Sequence, residues 1–189
     1  MRRQFTETIS QIFKEDKKTI MLLGDIGVFS FRDLFKKYPK RIYNIGILEQ
    51  SMISLAAGLS NEGLKPIVHT IAPFIVSRAL EQLKIDFGYN KLNGNFVSIG
   101  SSYDYASLGC THHCPEDINL MHNIPNMQIV VPGSGQEFHR LFNQSYSNNK
   151  PTYFRLSDFE NEKNINVNFG KANFINNNSK VTILAVGPV

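Results

Sequence analysis

Three clusters in the chain carry residue types that can do chemistry. The first is Asn44-Ile45-Gly46-Ile47-Leu48-Glu49-Gln50. Glu49 stands at a predicted strand-to-helix junction among Ile45, Ile47, Leu48, Met52 and Ile53, a setting that solvates a carboxylate poorly. Desolvation favours a protonated carboxyl, which can hold a proton and give it to a ring nitrogen. The plainer alternative is an acid favoured by the dipole at a helix N-terminus. Spacing alone leaves both open. The second cluster is His69-Thr70-Ile71-Ala72-Pro73-Phe74, followed by Arg78-Ala79-Leu80-Glu81-Gln82. Phe74 can offer a ring face to an aromatic ligand, or simply pack in a core. Arg78, Glu81 and Gln82 are expected to face solvent or an interface. The third cluster runs from Tyr103-Asp104-Tyr105 through Cys110-Thr111-His112-His113-Cys114 to Glu116-Asp117. Adjacent histidines between cysteines invite a zinc reading. Consecutive residues rarely converge on one tetrahedral ion, however, and no second ligand pair follows, so no metal ligands are assigned. General acid–base work or hydrogen bonding to substrate hydroxyls suits this loop better. Asp117 is also placed to cap the next helix.

Other chemistries are excluded by what is missing. Gly24-Asp25-Ile26-Gly27 completes neither a dinucleotide fingerprint nor a Walker loop. No Gly-x-Ser-x-Gly elbow occurs. A net charge of +4 is too mild and scattered for nucleic acid, though it suits a phosphorylated substrate. No run approaches the roughly 18 apolar residues of a membrane span, and Met1-Arg2-Arg3 has no apolar run behind it as a signal peptide would. With 2 cysteines there is no disulfide framework, and a cytoplasmic home is expected.

The elements that must position these clusters alternate. Phe5, Ile9, Ile12 and Phe13 mark an amphipathic helix over 5–15. Thr19–Leu23 is a continuous apolar run, as expected of a strand buried on both faces of a parallel sheet. A helix over 31–38 and a strand over 41–45 follow. The next helix, 48–61, closes at Gly63, suited to the left-handed position after a helix. A strand over 66–70 leads to a helix over 73–87, with proline in its first turn. Strands are then expected at 96–99, 127–131 and 153–155, with helices over 116–122 and 136–146. The pattern predicts an α/β fold, a mainly parallel sheet with helices on both faces. Ligands of such sheets bind outside the carboxyl ends of the strands, where all three clusters fall. Residues 1–157 read as this domain and 158–179 as an Asn-rich linker. Residues 180–189 read as the first strand of a further domain, cut short.

In this order the clusters resemble the pyrimidine-binding domain of the transketolase family of thiamine-diphosphate enzymes. The resemblance rests on Gly46-Ile47-Leu48-Glu49-Gln50 and on Pro66 to Thr70 with Phe74 and Arg78-Ala79-Leu80-Glu81-Gln82. It continues through Gly109-Cys110-Thr111-His112-His113 with Glu116-Asp117, Ile124-Pro125-Asn126-Met127 and Val131-Pro132. It implies that Glu49 is catalytic, bonding N1′ of the aminopyrimidine. Its proton favours the imino tautomer that takes the thiazolium C2 proton, and the cofactor then serves as electron sink. Phe74 matches the aromatic stacked on the pyrimidine, Ile71 stands where relatives often carry a second aromatic, and Asp25 aligns near an acid bordering the pocket. His112 matches a catalytic histidine of the substrate channel, with His69, His113 and Tyr105 as further substrate-facing positions. The His112-His113 pair resembles separately encoded C-terminal transketolase halves.

The family also binds Mg²⁺ and the cofactor's diphosphate through a Gly-Asp-Gly motif followed by an Asn, and this chain has neither. The resemblance thus implies a partner domain or subunit supplying that motif, in a homo- or hetero-oligomer acting on a sugar or sugar phosphate. The implied activity is transfer of two-carbon ketol units. A 1-deoxyxylulose-5-phosphate synthase-like protein or a 2-oxo acid dehydrogenase β-type subunit shares the domain. A non-catalytic interaction subunit is the alternative of another class.

Overall fold

A computed structural model describes residues 1–163, 165–175 and 180–188. Its centre is a six-stranded sheet, parallel throughout, in the order β2-β1-β3-β4-β6-β5. The strands are β1 (Thr19–Leu23), β2 (Ile42–Asn44), β3 (Lys65–Ile71), β4 (Gly94–Ile99), β5 (Gln128–Val130) and β6 (Pro151–Arg155). Leu23, His69, Val97 and Phe154 are register partners across the four central strands. The carboxyl ends of these strands therefore stand level. The chain reverses its direction of travel across the sheet beside β1, the kind of switch point at which such sheets bind ligands.

Alternation along each buried strand sends side chains to two separate cores. Met21, Leu23, Ile67, Val97 and Phe154 meet Phe5, Ile9, Ile12 and Phe13 of α1 (Arg2–Glu15). Phe138 and Phe142 of α7 (Gly135–Ser145) join that cluster. Leu22, Val68, Phe96 and Tyr153 point the other way, toward Met52, Ile53 and Ala56 of α3 (Glu49–Asn61). Both faces being covered is why the strands read as unbroken apolar runs rather than alternating ones. α2 (Arg32–Lys37) spans the β1–β2 connection, and Gly63 adopts φ +79 just past α3, as its type and position require.

The helix expected over 73–87 is not one regular helix. α4 (Ala72–Val76) is followed by a turn, by α5 (Leu80–Gln82), and by a π-helical stretch over Leu83–Tyr89. The amides of Ser77 and Arg78 both bond the Pro73 carbonyl, at 2.9 and 3.2 Å. The second of these is an i−5 bond, and it widens the turn that carries Arg78. Uninterrupted apolar spacing cannot distinguish such a widened helix from a regular one. The third cluster lies on a loop containing two short 3₁₀ turns, Ala106–Leu108 and Cys110–His112, before α6 (Asp117–His122).

The described residues beyond Leu156 form no helix or strand. They lie along α7: the Asn161 amide donates to the Gly133 carbonyl, Arg140 to the Ile165 carbonyl, and the Phe169 amide to Gln144. The Asn176-Asn177-Asn178 part of the linker lies outside the described residues. Val181–Gly187, expected as a buried strand, is not one here: Ile183 and Leu184 are 85% and 89% exposed. An apolar run becomes a buried strand only where a neighbouring strand and a covering layer receive it, and β2 and β5 stand at the edges of this sheet without it. No helix among the described residues is long and apolar enough to cross a membrane.

Candidate active site

Glu49 is the first residue of α3, which has no side-chain cap, and it is 1% exposed. Its Oε2 accepts from Arg78 Nη1 at 2.7 Å. Its Oε1 is buried and has no hydrogen-bond partner among the described residues. A buried oxygen left in that state costs about 1–3 kcal/mol unless something else satisfies it. It is therefore the strongest local sign of a ligand. Glu49 is an acid in a helix's first turn and is buried, although the Ile47 and Leu48 side chains before it are 67% and 56% exposed.

Arg78 ties this carboxyl to the second cluster. Its guanidinium carbon lies 4.1 Å from the centre of the Phe74 ring, a cation–π distance. Phe74, half-buried at the start of α4, meets His112 edge to face with centroids 5.3 Å apart. His112 in turn lies 6.3 Å from Tyr105, and its Nδ1 is 3.0 Å from the Thr111 hydroxyl. Glu49, Phe74, His112 and Tyr105 thus form one continuous set of contacts, joined through Arg78. Tyr105 also accepts a hydrogen bond from Arg2, and burial raises its pKa, which keeps the phenol a donor. Gly100, at φ +70, makes room for the Tyr105 ring, since an added Cβ would collide with it. His113 lies one step outward, edge to face with Tyr103 at 5.1 Å.

Asp25 forms a separate group at the ends of β1 and β2. It adopts φ +58, a left-handed conformation that Asp tolerates better than most residues. Asn44 closes this turn: its Oδ1 accepts from the amides of Asp25 (3.0 Å) and Gly46 (3.2 Å), and its Nδ2 donates to Asp25 Oδ1 (2.9 Å). The loop leading to Glu49 is anchored by these bonds.

Two expected site residues lie elsewhere. Ile71 is buried in the core cluster shared with α1, so it forms no open wall. His69 is 2% exposed, under the Phe5 ring at 4.7 Å, with Nδ1 bonded to the Val97 carbonyl at 2.8 Å. It is enclosed by α1 rather than presented to a substrate, because its place on β3 points it to the α1 side of the sheet. Burial lowers its pKa to about 4, with the Val97 bond opposing the shift. The unfolded histidine takes up its proton near 6.5 and the folded one only near 4. Its contribution is thus present above pH 6.5 and is lost as pH falls toward 4, up to about 3 kcal/mol. Chemical denaturation across this window is expected to show a shallower loss for His69→Gln than for the wild type. Identical slopes would disprove the account.

Asp117 does not cap α6: Glu116 holds the cap position without a side-chain bond, and Asp117 is the first helical residue, an acid in the first turn whose Oδ1 accepts from the adjacent Ile118 amide at 2.8 Å. It is also fully buried, pairing with Arg155 Nε at 2.7 Å and the Tyr153 hydroxyl at 3.0 Å. No group of three or more His, Cys, Asp or Glu among the described residues could hold a metal ion. Cys114 is buried, with its thiol pushed up to about 12, so it is a poor source of the thiolate that zinc requires.

Sequence reasoning assigns Arg78 to solvent or an interface, and gives Asn44 no role of its own. Arg78 stands four residues after Phe74, one helical turn on, and a carboxylate expected to be buried calls for a cation. Those two signals together could have found it. Nothing in the spacing marks Asn44, whose partners Asp25 and Gly46 lie in the loops after β1 and β2.

The family model described as "Transketolase, pyrimidine binding domain" matches residues 1–160. The chain is 35% identical over 184 residues to an uncharacterized 33.6 kDa protein in the fasciation locus of Rhodococcoides fascians, covering 97% of this chain and 59% of that protein. It is 30% identical over 192 residues to one subunit of the apulose-4-phosphate transketolase of Phocaeicola vulgatus, covering 98% and 62%. Among solved structures it resembles a split-gene transketolase described as an inactive β4 tetramer. That match has a TM-score of 0.74 at 29% identity, over 84% of this chain and 51% of that one. The chain spans about three fifths of the length of these two curated relatives. It belongs to the transketolase pyrimidine-binding domain family.

Proposed function

We propose that this chain is the pyrimidine-binding half of a thiamine-diphosphate-dependent, transketolase-like enzyme that moves two-carbon ketol units between sugars or sugar phosphates. The observation that carries the reading is the buried, unpartnered Oε1 of Glu49, whose other oxygen is held by the guanidinium that lies over the Phe74 ring. An aminopyrimidine fits that pair, because it brings a ring nitrogen to share a proton with Oε1 and a flat face for the aromatic. When bound, the cofactor supplies the nucleophilic carbon and the electron sink for ketol cleavage. Glu49 holds the proton at ring N1′, and its burial keeps water from competing for it. Phe74 fixes the ring plane. His112, supported by Thr111 and Phe74, and Tyr105 serve the substrate's hydroxyls, with His113 further out and Asp25 bordering the pocket.

The family's Gly-Asp-Gly motif for the diphosphate and Mg²⁺ does not occur in these residues, so a partner domain or subunit supplies it. The description of one similar structure as an inactive tetramer of β chains fits a half-site that is idle alone. In this reading residues 180–189 are the start of a further domain, whose packing would cover the exposed Ile183 and Leu184 side chains. The transketolase names of relatives favour ketol transfer over the synthase and dehydrogenase readings.

The test is reconstitution. The full-length protein is combined with the Gly-Asp-Gly subunit from the same cell, thiamine diphosphate and Mg²⁺, and assayed with a ketose phosphate or pyruvate as donor. Ketol transfer from the ketose by the pair, and by neither chain alone, is expected. Decarboxylation of pyruvate instead would move the chain to the synthase or dehydrogenase group. Cofactor binding without turnover of either donor would leave the interaction-subunit reading.

A further inference from the structure

Glu49 cannot hold its own carboxyl in place. It begins a helix with no side-chain cap, and one of its two oxygens has no partner among the described residues. What fixes the other is Arg78 Nη1, at 2.7 Å. The same guanidinium lies over Phe74, with its carbon 4.1 Å from the ring centre. Phe74 and Arg78 are four residues apart, and the i−5 bond to the Pro73 carbonyl sets the turn between them. A planar guanidinium can pair with a carboxylate through its edge while stacking an aromatic on its face, which an ammonium cannot do. The Arg78 side chain is 37% exposed. Glu49 is 1% exposed, so losing Arg78 would also leave a buried carboxylate unpaired, and the geometric role has to be read apart from stability.

We infer that Arg78 is a positioning residue: one guanidinium sets the Glu49 carboxyl and the Phe74 ring as a unit, leaving Oε1 aimed at an incoming aminopyrimidine nitrogen. This rests on the cofactor reading above. It goes further by assigning to one exposed cation the alignment of the proton-holding group with the stacking face. A misalignment of about 1 Å at such a site costs on the order of 100-fold.

The experiment uses the full-length protein assembled with its Gly-Asp-Gly subunit. It reads the dissociation constant of thiamine diphosphate, deuterium exchange at the thiazolium C2 position, and the thermal midpoint. Arg78→Met is expected to weaken cofactor binding and slow exchange by about 10- to 100-fold, with KM for the sugar unchanged. Arg78→Lys, which restores charge without the stack, falls between. In a Glu49→Gln background Arg78→Met adds no further loss of exchange, because Arg78 acts through Glu49. Wild-type affinity and exchange in Arg78→Met, or a full additional loss in the Glu49→Gln background, overturns the inference. Should Arg78→Met lower the thermal midpoint markedly, Arg78→Lys and Arg78→Gln decide: tighter binding by Lys supports the role, and equal binding overturns it. A wild-type assembly that binds no cofactor overturns this inference and the proposed function together. Normal binding that ignores Arg78 overturns this inference alone.

Discussion

Glu49→Gln is expected to lower ketol transfer by the reconstituted enzyme by about 10²- to 10⁴-fold, the usual contribution of a positioned acid–base group. The substitution keeps the side chain's shape and can still accept from Arg78, yet an amide cannot take and return a proton. The fold is expected to survive, because the residue's neighbours are unchanged and Arg78 retains access to water. Circular dichroism and the thermal midpoint of the variant should match the wild type while turnover falls. Glu49→Ala should be at least as inactive, since it also removes the acceptor for Arg78. Near-normal turnover in either variant would discard the assignment of this residue, and with it the proposed function.

Asp117→Ala is expected to have the largest effect on stability, about 3–5 kcal/mol, the usual result of removing one partner of a buried ion pair. Asp117 is fully buried, and its Oδ2 serves both Arg155 and the Tyr153 hydroxyl. Ser98 donates to that same hydroxyl at 2.8 Å, so the network joins β4, β6 and α6 beneath the third cluster. Burial, then the Asp117 charge, holds the Tyr153 phenol protonated well above the ordinary range. Without the carboxylate, the Arg155 cation stays in place at 14% side-chain exposure with its main partner gone. Thermal unfolding should begin roughly 6–20 °C lower. Asp117→Asn keeps one acceptor oxygen and the side chain's shape and should lose less. A loss under about 1 kcal/mol for the alanine variant would mean that Arg155 finds water or another acceptor.

Much of the fold was legible because its signals are local. The run over 20–23 is apolar at every position because one face meets α1 and the other meets α3, and a two-sided burial leaves no polar alternation. Gly63 marked its helix end because the left-handed backbone there suits glycine. The helix after Pro73 departs from the regular one its spacing predicts for an equally physical reason. A π-wound turn keeps nearly the same apolar spacing as an α-turn, and its shared Pro73 carbonyl leaves no mark in composition. Val181–Gly187 carries a strand's apolar pattern without being a strand here, since pattern reports what a segment can bury and not whether neighbours receive it.

At the site the division is similar. Residue type and order along the chain were sufficient to single out Glu49, Phe74 and the His112-His113 loop, and to bring out their family resemblance. The missing Gly-Asp-Gly motif is likewise a property of sequence alone. Only the tertiary structure decided that His69 and Ile71 face the core, because side-chain direction on a central strand depends on which helix covers each face. It alone placed Arg78 between a carboxyl 29 residues away and a ring one turn before it. It also showed that one oxygen of Glu49 is satisfied and the other is not. Hydrogen-bond partners drawn from separate elements depend on distances of a few ångströms, and those distances arise only when the register of the sheet and the winding of α4 and α5 are set together.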